Sequence, residues 1–474
     1  MKNILLAIAA TWALTTQVCY GREALDKPNI VVIYLDDAGY GDFSHTGNPT
    51  INTPNITELA YGGVNFTQFY VSSPACSASR YSLMTGRVPG RSGLNDWVVG
   101  PYSKEHISTR EITLAEGLKT AGYATALFGK WHLGNPNKHN NMTPDSLPLA
   151  HGFDYWIGTN VSHDYDTAKL LESDEKANDP VAGYRTIAKN LLSHKTVCES
   201  LTKRYTDAAI SFIKDKKEQP FFAYVAYNMP HLGLYVSDGF RGKSRRGLLG
   251  DVQEEVDHAI GRIVASLEEQ GIAENTIIFL SSDNGPWLRF KNTAKHDKYG
   301  EPRMHVGNAY PFRDGKGSTW EGGVRVPGIF YWPGVVTPQI ERAPASTLDV
   351  LPTIFSIAGI DLPADRSFDG RNIAGYLSPD NFKTEVEPFR FVYSDAENSI
   401  SAVRKGPWKL HVKLCSQLND NYGFEASREK PLLFNVEQDL GERFDRAAEH
   451  PEIVEDLLNF LKSMDKQIHN EKYL

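Results

Sequence analysis

Four short apolar runs, each ending abruptly in a cluster of polar residues, constrain the fold of this chain more than any other feature. Asn29–Leu35 ends in Asp36-Asp37, and Tyr123–Phe128 runs into Gly129-Lys130-Trp131-His132. Phe221–Tyr227 leads to Asn228-Met229-Pro230-His231, and Thr276–Leu280 leads to Ser281-Ser282-Asp283-Asn284-Gly285. Chemistry-bearing residues placed directly after β-rich runs are the pattern of the carboxyl ends of strands in an open parallel sheet. Helical patterns lie between the runs. Thr113–Ala121 opens with Thr113 and Glu116 spaced as a capping box and stops at Gly122, while Tyr205–Lys216 and Asp251–Gln270 carry helical periodicity. Alternating strand and helix predicts the α/β class, a doubly wound and mostly parallel sheet with helices on both faces.

Near Phe382 the alternation gives way to short strand-like pieces, Arg390–Tyr393, Ser401–Arg404, Trp408–Lys413 and Leu432–Asn435, followed by a helical stretch Pro451–Ile468. The expected organisation is a catalytic α/β domain over 22–380 and a small C-terminal α+β subdomain over 381–474. Residues 1–21 read as a secretory signal: Lys2, an apolar run Ile4–Leu14, and small residues Cys19 and Gly21, with cleavage expected near Gly21. The run falls short of the ~20 residues that span a bilayer. The expectation is therefore a secreted, periplasmic protein with no stable membrane insertion, and Val18 ahead of Cys19 argues against lipidation. Removing the signal leaves Cys76, Cys198 and Cys415, an odd set in which Cys76 is the candidate for special chemistry. A formal charge of −8 argues against nucleic acid as a partner, so an anionic substrate would need a local basic pocket.

Asp36-Asp37 and Asp283-Asn284 put oxygen-bearing side chains at two strand ends, a donor set suited to a hard divalent cation such as calcium. Either pair alone would serve equally as a turn or helix N-cap. Lys130, His132, His231 and Lys316 are the right types for binding a tetrahedral anion and moving protons. The basic stretch Arg241, Lys243, Arg245 and Arg246 is either a further anion-holding patch or a solvated loop.

The segment Ser73-Pro74-Ala75-Cys76-Ser77-Ala78-Ser79-Arg80, followed by Leu83-Met84-Thr85-Gly86-Arg87, resembles the sulfatase signature, in which the cysteine of Cys-x-(Pro or Ala)-x-Arg is oxidised to formylglycine. Gly129–Gly134 looks like that family's lysine-histidine loop, Leu280–Gly285 its second metal pair, Arg313–Gly323 its late lysine loop, and Val403–Leu410 its late strand. The resemblance implies an alkaline-phosphatase-like fold. It also implies that Asp36, Asp37, Asp283 and Asn284, with the modified side chain of Cys76, hold calcium, and that Arg80 steadies the modified residue. Lys130 and Lys316 would contact sulfate oxygens, His231 would protonate the leaving oxygen, and His132 would assist the return step. Ser162-His163, within Gly158–Asp164, looks like a substrate-contact loop, with a turn or cap role for Ser162 as the alternative. The implied function is a sulfuric ester hydrolase acting on a sulfated oligosaccharide or polysaccharide, such as algal ulvan, carrageenan or a glycosaminoglycan. A formylglycine-generating maturation enzyme is the implied partner. Ala78, where many members carry proline, leaves the type of that enzyme open. The competing readings are a phosphonate or phosphate monoester hydrolase of the same superfamily, and a non-catalytic glycan-binding relative in which Cys76 stays a thiol.

Overall fold

The computed structural model describes residues 27–94, 96–134, 142–288, 302–416 and 422–471, so the signal segment lies outside the described residues. The large sheet is built from β1 (Asn29–Leu35), β2 (Val64–Tyr70), β3 (Ala124–Gly129), β4 (Tyr155–Thr159), β5 (Lys169–Asn178), β6 (Ala182–Lys189), β7 (Phe221–Ala226), β8 (Thr276–Ser282), β9 (Arg325–Tyr331), β10 (Gln339–Glu341) and β11 (Ala345–Ser346). Their order is β10-β2-β9-β8-β1-β7-β3-β4-β5-β6, with β11 also paired to β2. The centre, β8-β1-β7-β3-β4, is parallel throughout. Its flanks are not: β9 runs antiparallel to β8 and β2, and β5 and β6 form an antiparallel hairpin arm beside β4.

The central strands are buried on both faces, as their unbroken apolar runs require. Ile30, Val32 and Tyr34 of β1 join one core, whereas Val31, Ile33 and Leu35 join the other, the period-two alternation of a strand between two helical layers. The helices Leu201–Lys216 and Leu248–Glu269 cover the second face through Tyr205, Ala209, Val256 and Ile260. The helices Cys76–Thr85, Leu114–Thr120 and Val350–Ile357 cover the first through Leu83, Leu118 and Ile354. Each such aliphatic side chain contributes ~1.5–3 kcal/mol on full burial. Among the described residues no helix is long and apolar enough to cross a membrane.

A second sheet, β12 (Arg390–Ser394), β13 (Ile400–Lys405), β14 (Trp408–His411) and β15 (Leu432–Asn435), is antiparallel in sequential order and is followed by the helix Pro451–Glu471. Phe391, Val403 and Leu410 of this sheet, with Leu457 and Leu461 of the helix, share one continuous core with the first face of the large sheet.

Register is what gathers the polar strand ends. Leu35 of β1 pairs with Ser282 of β8, so Asp36-Asp37 emerge beside Asp283-Asn284. On the other side, Tyr34 pairs with Ala226 of β7, which pairs in turn with Gly129 of β3, so Lys130 and the turn carrying His231 leave the same edge.

Candidate active site

Asp37 takes a left-handed backbone conformation (φ 64°), which turns the chain sharply at the end of β1. Its N–H donates to Asp283 Oδ1 at 3.1 Å, and Asn284 Nδ2 donates to Asp37 Oδ1 at 2.7 Å, so the two acidic pairs predicted from sequence are locked together. Cys76 opens the helix Cys76–Thr85, and its sulfur lies 3.4 Å from Asp36 Oδ1, 4.0 Å from Asp37 Oδ1 and 3.3 Å from Lys316 Nζ. Residues four apart share a helix face. Arg80 accordingly projects beside Cys76, and both its Nε (3.1 Å) and Nη2 (2.7 Å) donate to Asp283 Oδ2. Ser77 and Ala78 instead face the 97–99 segment, where Ser77 Oγ accepts the Val99 N–H at 2.9 Å and the Ala78 N–H donates to the Trp97 carbonyl at 2.9 Å.

Lys130 Nζ donates to Asp36 Oδ2 at 2.6 Å, and Lys316 Nζ reaches the Asp37 carboxylate at 2.8 Å. Asp36, Asp37 and Asp283 are thereby balanced by Arg80, Lys130 and Lys316, all buried. Burial raises the carboxyls of Asp37 and Asp283, and the carboxylates around Lys316, Asp37 foremost, raise its ammonium against the cost of burial. Burial, reinforced by Asp283, also pushes the Cys76 thiol well up even though Lys130 and Lys316 oppose it. A thiol so placed is a poor source of thiolate.

His231 and His132 are held neutral by burial and by the neighbouring lysines. His231 Nδ1–H donates to the Leu232 carbonyl, which leaves Nε2 facing the site, 3.6 Å from Asp37 Oδ2. His132, also at positive φ (58°), meets the Val99 carbonyl through Nε2 at 3.2 Å, and its Nδ1 is buried without a hydrogen-bond partner among the described residues.

The potential ligand atoms of Asp36, Asp37, Cys76 and His231 fall within 4.8 Å of one another, a cluster able to hold a metal ion. Asn284 Oδ1 is buried and, among the described residues, has no hydrogen-bond partner, an oxygen left over for a cation. Asp283 reaches the cluster with both oxygens already engaged, by Arg80 and by the Asp37 N–H.

Ser162 is buried with no partner for its hydroxyl among the described residues, and it is its neighbour His163 whose ring meets His231 at 5.6 Å. Trp287, which the sequence did not single out, has its ring 4.8 Å from Lys316 Nζ and 5.3 Å from the His231 ring. The signal was its place a few residues beyond β8. In the basic stretch, Arg241 is taken up by Glu199, Asp238 and the Val236 carbonyl, and Arg246 reaches the Val306 carbonyl.

This arrangement, a buried acid-and-lysine cluster around a cysteine that starts a helix at the carboxyl edge of a doubly wound sheet, is that of a hydrolase of tetrahedral-anion esters. The Sulfatase family profile matches residues 28–360, and the profile for the C-terminal region of aryl-sulfatase matches residues 385–473. An arylsulfatase from Hemicentrotus pulcherrimus is 35% identical over 89% of this chain and 78% of its own length. Among solved structures, a Bacteroides thetaiotaomicron protein described with the metabolism of multiple glycosaminoglycans superposes with a TM-score of 0.77 at 28% identity, covering 93% of this chain and 100% of that one. The structure of Ps i-CgsB in complex with k-i-k-neocarrahexaose gives a TM-score of 0.70 at 27% identity, covering 93% of each chain. The chain belongs to the sulfatase family, and it is an enzyme that hydrolyses sulfate esters.

Proposed function

We propose that this sulfatase is exported and removes sulfate from a sulfated oligosaccharide or polysaccharide, using a formylglycine made from Cys76 by a maturation enzyme and a calcium ion. The observation that carries the reading is the setting of Cys76: a thiol kept protonated by burial, at the start of a helix, in contact with Asp36, Asp37 and Lys316. A thiol could attack sulfur only as the thiolate that this setting disfavours, and it offers no comparable means of expelling sulfate afterwards. A formylglycine hydrate at position 76 supplies both an oxygen nucleophile and a second hydroxyl for release. Asp36, Asp37, Asp283, Asn284 and the modified side chain would hold the calcium ion, which would supply positive charge to the site. The oxygen-rich side chains and the spare Asn284 Oδ1 fit such a hard cation.

The chain's own groups do the rest. Arg80 keeps the Asp283 carboxylate oriented, and the Asp37 N–H fixes its second oxygen. Lys130 and Lys316 place two ammonium groups beside the site, where they bind the sulfate oxygens and stabilise charge that builds during transfer. With Nδ1–H committed to the Leu232 carbonyl, His231 turns a bare Nε2 toward the site, and it hands a proton to the leaving alcohol oxygen only after Nε2 has first taken one up, a protonation that the negative charge of bound sulfate would favour. His132 takes the corresponding role when sulfate is released. The carbohydrate substrate class is supported by the two structural relatives, one described with the metabolism of glycosaminoglycans and the other in complex with k-i-k-neocarrahexaose.

Assaying a panel of defined sulfated sugars, with an aryl sulfate and an aryl phosphonate in parallel, tests the proposal. Turnover of one or more sulfated sugars well above the phosphonate is expected. Phosphonate hydrolysis exceeding every sulfate would move the protein to the phosphonate hydrolases.

A further inference from the structure

The Lys316 loop is fastened at both ends. At its start, the Lys316 N–H donates to the Pro286 carbonyl and the Gly317 N–H to the Pro74 carbonyl, each at 2.8 Å, so the loop is keyed to the segment leading into Cys76. At its far end the Gly322 N–H returns to the Arg313 carbonyl at 2.8 Å. There is no slack between: a Cβ at Gly322 would stand 2.2 Å from the Asp314 carbonyl oxygen, and one at Gly323 would stand 2.1 Å from that of Ser318.

The outer fastening comes from the small C-terminal sheet and the turn after it. The Glu321 N–H donates to Glu442 Oε2 at 2.6 Å, while Glu442 Oε1 receives His411 Nε2 at 2.9 Å and Lys409 Nζ at 3.1 Å. Lys409 Nζ also bonds the Glu321 carboxylate at 2.9 Å. Trp320, next in the loop, is packed against His411 (4.8 Å between rings) and Phe434 (5.6 Å), with the Arg313 guanidinium 4.8 Å from its ring. Glu321, Lys409, His411 and Glu442 are all fully buried. Glu442 itself sits at φ 49°, a strained backbone state that persists where surrounding contacts over-determine it.

We propose that Glu442 is a positioning residue for Lys316: through the Glu321 N–H it holds the lysine loop at the depth where the ammonium meets Asp37 and Cys76. The C-terminal sheet is then part of the sulfate-binding apparatus and not only a cover for the first core. This inference rests on the reading of Lys316 as a group that binds sulfate.

The test compares Glu442→Ala, Glu442→Gln, Lys316→Ala and the Glu442→Ala/Lys316→Ala double variant in the full-length enzyme, reading the inhibition constant of inorganic sulfate and the KM of an aryl sulfate. Both constants are independent of how much of the sample is folded, whereas apparent kcat is not. Positioning predicts that Glu442→Ala weakens sulfate inhibition by roughly twofold to thirtyfold, the range expected for coupling through packed contacts. Glu442→Gln, which keeps an acceptor for the Glu321 N–H, should show a smaller loss in the same direction, and it is read alone if the alanine variant does not fold. In the double variant the Glu442 substitution should add nothing to the Lys316→Ala loss. Unchanged sulfate inhibition in both Glu442 variants, with only apparent kcat and melting temperature reduced, would overturn the proposal by showing a purely structural contact. Unchanged inhibition in Lys316→Ala would instead remove the sulfate-binding reading on which it stands.

Discussion

Arg80 grips a single oxygen of Asp283 with two of its nitrogens, at 2.7 and 3.1 Å, while the other oxygen of that carboxylate accepts the Asp37 N–H. Both side chains are fully buried, and the pair joins the helix that starts at Cys76 to the end of β8. Removing one partner of such a pair strands the other charge in the interior.

Arg80→Met should therefore destabilise the protein by ~3–5 kcal/mol. Arg80→Lys should recover little of that loss, because an ammonium cannot reproduce the two-nitrogen grip. Chemical denaturation of the three proteins checks this, and a lysine variant as stable as the parent would show that only the charge matters.

Lys316→Ala should lower kcat on an aryl sulfate by about 10²–10³-fold, the usual loss when a group aimed at developing charge is removed. Its contacts with Asp37 and Cys76 place it in the cluster proposed to carry the reaction. Steady-state kinetics on the purified variant decides it, and a change smaller than threefold would take the lysine out of the chemistry.

Chelation should abolish activity, and calcium should restore it better than zinc, because the proposed donors are oxygens. Elemental analysis must accompany the assay. Full turnover by protein shown to be free of divalent metal would remove the cation from the account.

His151 predicts an acid-sensitive step in stability. Its ring stacks on Trp131 at 5.5 Å, between the two site residues Lys130 and His132 in sequence, and Nε2 donates to the Asp145 carbonyl at 2.9 Å. Nδ1 is buried without a partner among the described residues. Burial, aided by nearby His106 and opposed by the Asp145 contact, lowers this imidazole to about 4 from an ordinary value near 6.5. A histidine depressed on folding binds its proton more readily when unfolded, so its contribution is complete above pH ~6.5 and is lost as pH falls toward ~4. His151→Gln should flatten the decline of stability across that window. An identical pH slope in the variant would assign the acid sensitivity elsewhere.

The parts of this molecule legible in sequence are those whose signal is local. β1, β3, β7 and β8 were readable because a strand buried on both faces must be apolar at every position, and each ends where polar residues begin. The capping box at Thr113 is realised, with Thr113 Oγ1 accepting the Glu116 N–H at 3.1 Å and Glu116 accepting the Thr113 N–H at 2.8 Å. The arm of β5 and β6 was not readable, since sequences such as Glu172–Lys176 carry no apolar alternation when the hairpin stands largely in solvent. β2 and β9 were also passed over, and they supply the antiparallel flank that a count of strand-helix alternation misses. At the site, residue types at strand ends could be named, and His163 could be named beside Ser162, but Trp287 became visible only once the fold set its ring against that of His231. The same holds for Glu442, whose partner Glu321 is remote in sequence.

The most direct test of the account is peptide mass spectrometry of position 76 in a highly active preparation. The account predicts that the peptide spanning Cys76–Arg80 carries the aldehyde or its hydrate, and that specific activity across preparations scales with the modified fraction. A highly active enzyme in which position 76 is entirely unmodified cysteine would contradict it.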